Sequence, residues 1–482
     1  MATPIPTNRA EIDAATAARV TGGTVAASHG SRRARGITTD SRAVVAGGAF
    51  VALRGERYDG HAFLDAAAAA GAALLVFERG RAPREPGGVD LVEVDDTLAA
   101  WGALARDHLR AWRALAPAGR VVAITGSAGK TTTKELCAAL LATAGCCLAS
   151  AGNLNNRVGV PAVALQVDPS HRFLVLEVGM SLPGEIAALG AIVEPDVAVI
   201  TNAGLAHAGG VGGTVADVAR EKGALFEAVR SGGTVVANAD DAAVLSQVGR
   251  ARGARVVTFG RHERADARLV ERRFLGVEGS AVDVRRQGGR AASFRVPIPG
   301  EAAAVDFVAA LAAAEAAAGA LLDDARVAAA LASFPPIAGR MHVRRLRGGG
   351  LLLDDAYNAS PATVLAALAT LAEVSTGRRV AVLGEMKELG PAALREHTAL
   401  GSAIAGAGVA HLVSCGGLAD AAATEAERLG VVVSRGRDAD DAALIAVEAV
   451  RAGDAVLVKA SRSVGAERVV DALLRAHGGE GA

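Results

Sequence analysis

The sequence predicts an α/β protein of three domains, because short β-branched runs alternate with alanine-rich helical stretches along most of its 482 residues. A chain of this length is too long for one ordinary hydrophobic core. Proline- and glycine-containing breaks at residues 116–119 and 335–336 interrupt the alternation. We therefore predict a small N-terminal α/β domain at 1–117, a central parallel-sheet domain at 118–336 and a C-terminal Rossmann-like α/β domain at 337–482.

In the first two segments, strand-like runs take turns with helical stretches. The N-terminal segment has such runs at residues 49–53, 73–77 and 91–94, and the central segment at 120–125, 173–178 and 197–201. Short strands punctuated by glycine and arginine follow at 255–299, and a nearly pure alanine helix is predicted at 301–322. A β-strand followed by a helix and another strand is typical of a parallel sheet.

The third segment repeats the same alternation. Its strands are predicted at residues 351–353, 379–383, 411–414 and 455–458. The connection near Ala338 and Gly339 is a candidate hinge, because it joins two units that each have their own core.

Composition excludes several classes of partner. The 51 basic and 51 acidic side chains give a formal net charge of zero, so no global field attracts nucleic acid or an anionic membrane. The longest apolar runs, such as residues 66–77, are shorter than the roughly 20 residues of a membrane-spanning helix. No basic-then-apolar signal opens the chain. We expect a cytoplasmic protein that does not insert into membranes and that binds no nucleic acid.

The cysteines give no sign of a metal site or of a disulfide framework, because they lack paired spacing. We interpret them as reduced thiols that fill the core: Cys137, Cys146, Cys147 and Cys415.

Lysine is scarce in this chain, and its few positions are therefore informative. Only five of the 51 basic residues are lysine, and the rest are arginine. Lysine is a compact charge whose amine can lose its proton, whereas arginine is planar and permanently charged. Each surviving lysine is a candidate functional residue, with chance survival as the alternative: Lys130, Lys134, Lys222, Lys387 and Lys459.

A phosphate-binding loop follows the first strand of the central domain. The segment reads Gly126-Ser127-Ala128-Gly129-Lys130-Thr131-Thr132 and leads into a helix. Backbone N–H groups at such a helix start bind phosphate oxygens, the lysine reaches the terminal phosphates and the first threonine can ligate Mg²⁺. The sequence thus predicts a P-loop that binds ATP. It departs from the general pattern, since Ile124 stands where a first glycine is usual.

Two further side chains follow buried strands of the same domain. Glu177 ends the apolar run at 173–178, and a strand-end acid beside a phosphate loop suits a magnesium ligand. His207 comes after the strand at 197–201, among glycines that permit close approach of the backbone. The alternatives are a solvated strand end for the glutamate and a surface-loop imidazole for the histidine.

Lys222 lies on a predicted helix fifteen residues after His207. A partly buried lysine can lose its proton and add carbon dioxide, and the resulting carbamate can bind a metal. Arginine cannot do this. The alternative is an exposed cation on a helix.

Taken together, the loop at 126–131, Glu177, His207 and Lys222 resemble the Mur ligases of bacterial cell-wall synthesis, and the resemblance covers almost the whole chain. Mur ligase loops read Gly-x-x-Gly-Lys-Thr, which accounts for Ile124. The resemblance implies ATP and Mg²⁺ as substrate and cofactor. Thr131 and Glu177 would hold one magnesium ion, and His207 with a carbamylated Lys222 would hold a second.

Within the family, several segments are most similar to the member that joins D-Ala-D-Ala to UDP-MurNAc-tripeptide. Asp40, Ser41 and Arg42 resemble part of a UDP-sugar-binding domain, and the loop at 153–161 is similar to a substrate-facing Gly-Asn-x-Asn-Asn loop. The Asp-Asn-Pro-Arg motif of the diaminopimelate-adding sibling is absent. The resemblance assigns substrate binding to Asn153, Asn155, Asn156 and Lys459, and ATP binding also to Arg340, Asp355 and Tyr357.

Three positions depart from the family pattern. Where Mur ligases usually have a His-Asn pair and a further Asn near the adenine, this chain has Ala302, Ala303 and Asp306. Arg157 stands in the substrate loop where an acid is more usual. How adenine is held is therefore open.

The expected reaction activates a carboxylate with ATP. The terminal carboxylate of the tripeptide attacks the γ-phosphate, with Lys130 and Mg²⁺ offsetting the repulsion between anions. The acyl phosphate then acylates the amine of D-Ala-D-Ala, releasing phosphate. The enzyme is expected to act as a monomer. Two alternatives are another amide ligase of this superfamily, such as a folylpolyglutamate-type enzyme, and a nucleotide-binding module that has lost catalysis.

Overall fold

A computed structural model describes residues 3–30, 33–55 and 58–478 of the chain. The strands of these residues form sheets of two, five, nine and six strands, and helices pack against them. The predicted α/β fold class with a parallel-sheet core is confirmed. The domain boundaries at 117/118 and 336/337 stay a prediction, although the three large sheets lie in the three predicted segments.

The N-terminal segment contains a mostly parallel five-stranded sheet of order β2-β7-β6-β5-β4, beside a short antiparallel β1–β3 pair. Strands β4 to β7 run parallel and β2 is antiparallel. The elements are β1 (Glu11–Ile12), α1 (Ala14–Thr21), β2 (Thr24–Ala27), β3 (Ala34–Arg35), β4 (Ile37–Thr38), β5 (Ala49–Val51), α2 (Leu64–Ala69), β6 (Leu74–Glu78), β7 (Asp90–Val94) and α3 (Thr97–Leu115).

The central segment is built on a nine-stranded sheet of order β16-β15-β14-β13-β12-β11-β8-β10-β9. Its first half comprises β8 (Arg120–Thr125), α4 (Lys130–Ala142), β9 (Cys147–Ala149), α5 (Gly159–Ala164), β10 (Phe173–Glu177), α6 (Glu185–Val193), β11 (Val197–Ile200), α7 (Ala208–Val211) and α8 (Val215–Glu227). Its second half comprises β12 (Thr234–Asn238), α9 (Ala242–Leu245), β13 (Arg255–Gly260), β14 (Ala267–Phe274), β15 (Ser280–Arg285), β16 (Ala291–Val296), α10 (Glu301–Ala318) and α11 (Asp324–Ala332).

The register of this sheet brings three strand ends together. In the parallel pairs, Ile124 of β8 lies opposite Glu177 of β10, and Thr125 lies opposite Ile200 of β11. The carboxyl ends of parallel strands share one edge of the sheet. The loops after β8, β10 and β11 therefore meet at that edge, and the predicted P-loop is one of them.

The C-terminal segment has a six-stranded sheet of order β17-β18-β22-β19-β20-β21, in which only the β17–β18 pair is antiparallel. Its elements are β17 (His342–Arg345), β18 (Leu351–Asp354), α12 (Pro361–Val374), β19 (Arg379–Leu383), α13 (Ala393–Gly406), β20 (Val409–Ser414), α14 (Ala419–Arg428), β21 (Val432–Arg435), α15 (Ala439–Ala449), β22 (Ala455–Lys459) and α16 (Glu467–His477).

Two sequence expectations are corrected. The alanine helix α10 ends at Ala318 rather than at residue 322, because Gly319 adopts a left-handed cap with φ 73° that an L side chain disfavours. The four cysteines are free thiols, but Cys146 is exposed and so does not fill the core, whereas Cys137 and Cys415 are buried. Among the described residues, no helix combines the length and the apolar character needed to cross a membrane.

Candidate active site

The phosphate loop lies between β8 and α4 and has the backbone shape that its glycines predict. Gly126 has φ 155° and Gly129 has φ 77°, and Gly129 caps the start of α4. A β-carbon on Gly126 would overlap the Thr201 hydroxyl. The loop is thus held close to the end of β11, with its N–H groups at the start of a thirteen-residue helix.

Asn202, shortly after β11, holds this loop in place through two hydrogen bonds. Its side-chain oxygen accepts a hydrogen bond from the Ala128 N–H at 2.8 Å, and its backbone oxygen accepts one from the Ser127 N–H at 3.0 Å. The Ser127 hydroxyl in turn accepts a bond from the Gly204 N–H at 2.8 Å. These bonds fix the loop before any nucleotide binds, which lowers the entropy cost of binding.

Lys130 folds back over the loop. Its Nζ donates to the Gly126 carbonyl at 2.8 Å, and burial lowers its pKa below the ordinary lysine value. A cation held in this position has no carboxylate partner within hydrogen-bond reach among the described residues. It is therefore available to an anion that enters the loop.

Glu177 and Thr131 lie side by side at the edge of the sheet. The Thr131 hydroxyl donates to Glu177 Oε2 at 2.8 Å, and Asn155 Nδ2 donates to Oε1 at 2.8 Å. Glu177 is only 2% exposed, so the alternative of a solvated strand end is wrong. The pair offers a hydroxyl and a carboxylate oxygen to one point, as a magnesium ion bound to phosphates requires.

His207 begins α7 with a positive φ of 64° and meets a carboxylate of the third segment. Its Nδ1 lies against the Glu388 carboxylate. The Glu388 pKa is lowered by this contact and by nearby Lys130. The Gly209 N–H also donates to the Glu388 backbone oxygen at 3.1 Å. The histidine therefore faces the interface between the central and C-terminal segments.

Lys222 is buried on α8, with only 1% of the residue exposed, so it is not the exposed helix cation that the sequence left open. Burial and repulsion from Lys130 hold its pKa well below the ordinary lysine value. Among the described residues it has no ion-pair or hydrogen-bond partner. A neutral, nucleophilic amine at neutral pH is what addition of carbon dioxide requires.

The third segment contributes Arg340, which reaches across to the phosphate loop. Its Nη2 donates to the Thr131 hydroxyl at 3.1 Å. Its guanidinium lies 4.2 Å from the centre of the Tyr357 ring, and Arg462 lies 5.2 Å from the same ring. Burial raises the Tyr357 pKa. The stacking on Tyr357 fixes the direction in which Arg340 points.

Asp355 and Lys459 form a buried pair in the same segment. Lys459 Nζ bonds to Asp355 and donates to the Asn358 carbonyl at 2.9 Å. The other oxygen of Asp355 accepts from the Met341 N–H at 3.2 Å. Sequence reasoning assigned Lys459 to substrate binding, but here it lines the same cleft as the phosphate loop. Burial lowers the Lys459 pKa.

A cleft of about 280 Å³ lies between the central and C-terminal segments. Its lining combines polar and apolar residues. The polar and charged side chains are Thr132, Thr201, Asn202, Asn238, Asp306, Arg340, Asp355, Thr363, Thr370 and Lys459, and the apolar residues include Ile298, Pro299, Ala302, Ala303, Ala366 and Ala367, beside Ala128 and Gly129 of the phosphate loop. A lining of this kind, next to the phosphate loop, suits a nucleotide.

The predicted UDP-sugar residues lie on the N-terminal segment, apart from the phosphate loop. Asp40 caps a short turn by accepting the Arg42 N–H at 3.0 Å, and it also binds the Arg42 guanidinium, which lowers the Asp40 pKa. In the described structure Asp40, Ser41 and Arg42 make no hydrogen bond to the other segments.

The predicted substrate loop is brought to the site only in part. Asn155 contacts Glu177, but Asn156 caps α5 through the Val158 and Gly159 N–H groups. Asn153 accepts a bond from the Thr3 hydroxyl at 2.8 Å. Asn155 is thus the member of this loop that joins it to the metal-binding candidate.

Asn202 and Glu388 were assigned no role by sequence reasoning. A polar residue directly after a buried strand, beside a phosphate loop, could have indicated Asn202. No comparable signal exists for Glu388, because its contact depends on how two segments pack.

Lys134 is a buried lysine that supports the site indirectly. It is 0% exposed, and its Nζ donates to the Ser150 carbonyl at 2.6 Å. The Ser150 hydroxyl accepts the Glu177 N–H at 3.2 Å.

We expect Lys134→Met to lower the free energy of unfolding by about 1–3 kcal/mol, because it leaves a buried carbonyl without its donor. Lys387→Met is the matched control: its partner is Glu385 and its side chain is 47% exposed, so the loss should stay within about 1 kcal/mol. Urea denaturation followed by circular dichroism measures both. Equal losses of unfolding free energy in the two variants would show that the buried bond from Lys134 to the Ser150 carbonyl contributes no more to stability than the exposed Lys387 contact.

Comparison with known protein families matches all three segments. The family models are the Mur ligase middle domain at residues 124–314, the Mur ligase glutamate ligase domain at 339–462 and the Mur ligase family catalytic domain at 33–108.

Individual relatives agree. The chain is 36% identical over 443 residues to UDP-N-acetylmuramoyl-tripeptide–D-alanyl-D-alanine ligase of Escherichia coli, covering 91% of this chain and 93% of that protein. It is 36% identical over 525 residues to the Mycobacterium tuberculosis protein of the same name, covering 96% and 98%.

Among solved structures, MurF from Acinetobacter baumannii superimposes with a TM-score of 0.86 at 27% identity, over 98% of this chain and 100% of that one. MurF ligase from Thermotoga maritima in complex with ADP gives a TM-score of 0.77 at 27% identity, over 91% and 97%.

Proposed function

The chain belongs to the Mur ligase family, and from this premise we propose that it joins D-Ala-D-Ala to UDP-MurNAc-tripeptide at the expense of ATP. The relatives that carry this activity by name match it over more than nine-tenths of both chains. The product would be the UDP-MurNAc-pentapeptide, with ADP and phosphate, in the synthesis of peptidoglycan precursors.

One observation carries the proposal: groups from three parts of the site converge on the Thr131 hydroxyl. It lies at the start of α4, it donates to Glu177 and it accepts from Arg340 of the third segment. A phosphate bound to this loop would thus lie near Lys130, Arg340 and the Thr131 and Glu177 oxygens that would hold a metal ion, and the cations would offset its charge. Phosphoryl transfer depends on this kind of charge neutralisation.

In the proposed mechanism, the loop N–H groups and Lys130 orient the γ-phosphate for in-line attack by the tripeptide carboxylate. Attack forms an acyl–oxygen–phosphorus link and expels ADP. The amine of D-Ala-D-Ala then attacks the acyl carbon, and phosphate leaves. Arg340 offsets the charge that develops on the transferred phosphoryl group, and the packing of the third segment on the loop excludes water.

The residues present fit the metal ions that the family implies. Thr131 and Glu177 would hold one Mg²⁺, since their oxygens lie 2.8 Å apart, one at the start of α4 and the other at the end of β10. His207 and a carbamylated Lys222 would hold a second. Bound Mg²⁺ would supply positive charge to the phosphates and so aid the attack of an anion on an anion. Glu388, which pairs with His207, would then set the orientation of that imidazole.

Apolar residues in the cleft lining suggest how adenine is held without the His-Asn pair of other members. Ala302 and Ala303 of α10 and Ala366 and Ala367 of α12 line the same cleft. We propose that the base is sandwiched between these two helices by apolar contact rather than by side-chain amides.

We further propose that the enzyme is a monomer and is located in the cytoplasm.

The proposal is tested by phosphate release from purified protein. Release should require ATP, UDP-MurNAc-tripeptide and D-Ala-D-Ala together. Tripeptides with lysine and with diaminopimelate at the third position should be compared, because the accepted residue is not evident from the site. Release with glutamate and a folate instead, or with another UDP-muramoyl peptide, would favour a different ligase of the superfamily. ATP binding without release in any mixture would favour a module that has lost catalysis.

A further inference from the structure

Asp306 carries a carboxyl group that lines the cleft between the central and C-terminal segments. It lies on the first turns of α10, whose alanine-rich body packs along α4. Its side chain is pressed against the phosphate loop, because a β-carbon on Gly129 would overlap Oδ1 and lie 2.9 Å from Oδ2. An acidic side chain in this place is unexpected, since the loop exists to bind the anionic phosphates of a nucleotide.

The surroundings of Asp306 do little to neutralise a negative charge. The Thr133 hydroxyl and the Arg340 guanidinium are near it and lower its pKa, but burial raises it more, to about 8. None of the N–H groups of the phosphate loop donates to this carboxyl in the described structure. The Asp306 carboxyl therefore touches Gly129 by van der Waals contact and, among the described residues, is not stabilised by a hydrogen bond from the loop.

Three other charged side chains line the cleft among the described residues, namely Arg340, Asp355 and Lys459. Arg340 bonds to Thr131, and Lys130, which lies outside this lining, bonds to Gly126. Asp355 and Lys459 pair with each other. The remaining charged side chains on the helices and strands packed against α10 lie outside the cleft lining.

From this geometry we propose that nucleotide binding to this protein is coupled to a proton on Asp306. The neutral carboxyl group lies against Gly129 without repelling the phosphates. When the carboxyl group is ionised, binding of the phosphates requires that the carboxylate takes up one proton from solution. The product is a complex of the nucleotide with the protein in which Asp306 is a neutral carboxylic acid. This inference rests on the binding of ATP in the cleft, as the proposed function requires.

The linkage has a direct consequence for affinity. At pH 7 the Asp306 carboxyl is mostly protonated, because its pKa is raised to about 8. Above that value each further pH unit leaves about tenfold less of the neutral form, and the Kd for Mg·ATP should rise by up to about tenfold per unit. Asp306→Asn keeps the shape and removes this titration, so its Kd should lack the part of the rise that is due to Asp306 and keep only that of other groups such as Lys130, whose pKa burial lowers.

Calorimetric titration of the full chain with Mg·ATP, in the absence of tripeptide, tests this between pH 7 and 9.5. Repeating it in buffers of different ionisation enthalpy gives the number of protons taken up. We expect uptake in the wild type to rise toward one proton above pH 8. Asp306→Asn should lack this component, and the difference between the two proteins separates Asp306 from lysines such as Lys130. Glu301→Gln is the matched control, since it makes the same acid-to-amide change on the same helix and Glu301 pairs with Arg261 away from the cleft lining.

Equal proton uptake in the wild type and in Asp306→Asn would overturn the inference. So would tight Mg·ATP binding by the wild type with no uptake at pH 8.5. Infrared spectroscopy gives a second readout that does not depend on nucleotide: the wild type at pH 7 should show a protonated-carboxyl band that Asp306→Asn lacks and that is lost above pH 9, and its absence from the difference spectrum would also refute the proposal. The comparison with Asp306→Asn is needed because burial also raises the pKa of Glu315 and of Asp354. A wild type that shows this band but binds no Mg·ATP at pH 7 would instead contradict the proposed function.

Discussion

Replacing Lys222 by alanine is expected to lower kcat by about 10²–10³-fold, the scale seen when one electrostatic group of an active site is removed. The amine is buried, and its pKa is held well below the ordinary value by burial and by Lys130. In our proposal the neutral amine adds carbon dioxide, forming an N–C bond and releasing a proton. The resulting anion supplies oxygens to a metal, and alanine supplies none.

Small anions test whether Lys222 acts as a carbamate. Because formate, acetate or high bicarbonate can place oxygens in the space that the shorter side chain leaves, they should restore part of the activity of Lys222→Ala in the phosphate-release assay. Lys222→Arg should stay inactive with or without them, since a guanidinium is always protonated and cannot be carbamylated.

Full activity in Lys222→Arg would eliminate the carbamate. Isotope labelling distinguishes a carbamate on Lys222 from a purely structural role of this lysine. Wild-type protein in ¹³C-bicarbonate should show a carbamate carbon signal that is missing in Lys222→Ala and retained in Lys134→Met. Lys134 is an informative control because it is also a fully buried lysine, but one whose Nζ already donates to Ser150.

The parts of the site that sequence could predict are those that follow one another along the chain. The loop at 126–132 and Glu177 lie at ends of strands that pair in parallel register, so the strand-helix alternation places them at one edge of the sheet. It does not predict that β8 pairs with β10 rather than with β9, and this pairing makes the two neighbours. Lysine scarcity drew attention to three buried positions, Lys134, Lys222 and Lys459. It also drew attention to Lys387, whose side chain is nearly half exposed and pairs with Glu385.

The contacts that sequence could not predict are made between segments. Arg340 and Thr131 are 209 positions apart, and Glu388 meets His207 only because the C-terminal segment packs on α7. Neither pairing follows from local propensity, since it depends on the relative placement of two separately folded sheets. Asp306 illustrates the same limit. Its identity was visible as a departure from the family, but its position against Gly129 required the packing of α10 on α4.

The second large effect is expected for Arg340→Ala, which should lower kcat by about 10³-fold or more, as removal of an arginine that stabilises a transferring phosphoryl group does. The side chain crosses from the third segment to the Thr131 hydroxyl at 3.1 Å and stacks on Tyr357 at 4.2 Å. Arg340→Lys should not restore the rate, because an ammonium lacks the planar face and the paired donors of a guanidinium.

Arg462→Ala is the matched control for this loss. Arg462 stacks on the same tyrosine ring, at 5.2 Å, but in the described structure it makes no hydrogen bond to the phosphate loop, so its removal should cost less than about tenfold. Steady-state kinetics combined with the Kd for Mg·ATP separate the possible causes. If Arg340 acts on the transition state, kcat falls while Kd changes little. A large rise in Kd with unchanged kcat would show that Arg340 holds ATP in its ground state, and equal losses in Arg340→Ala and Arg462→Ala would assign the effect to the tyrosine stack. The distinction matters for the architecture, because only an arginine that acts on the transition state makes closure of the third segment a condition for catalysis.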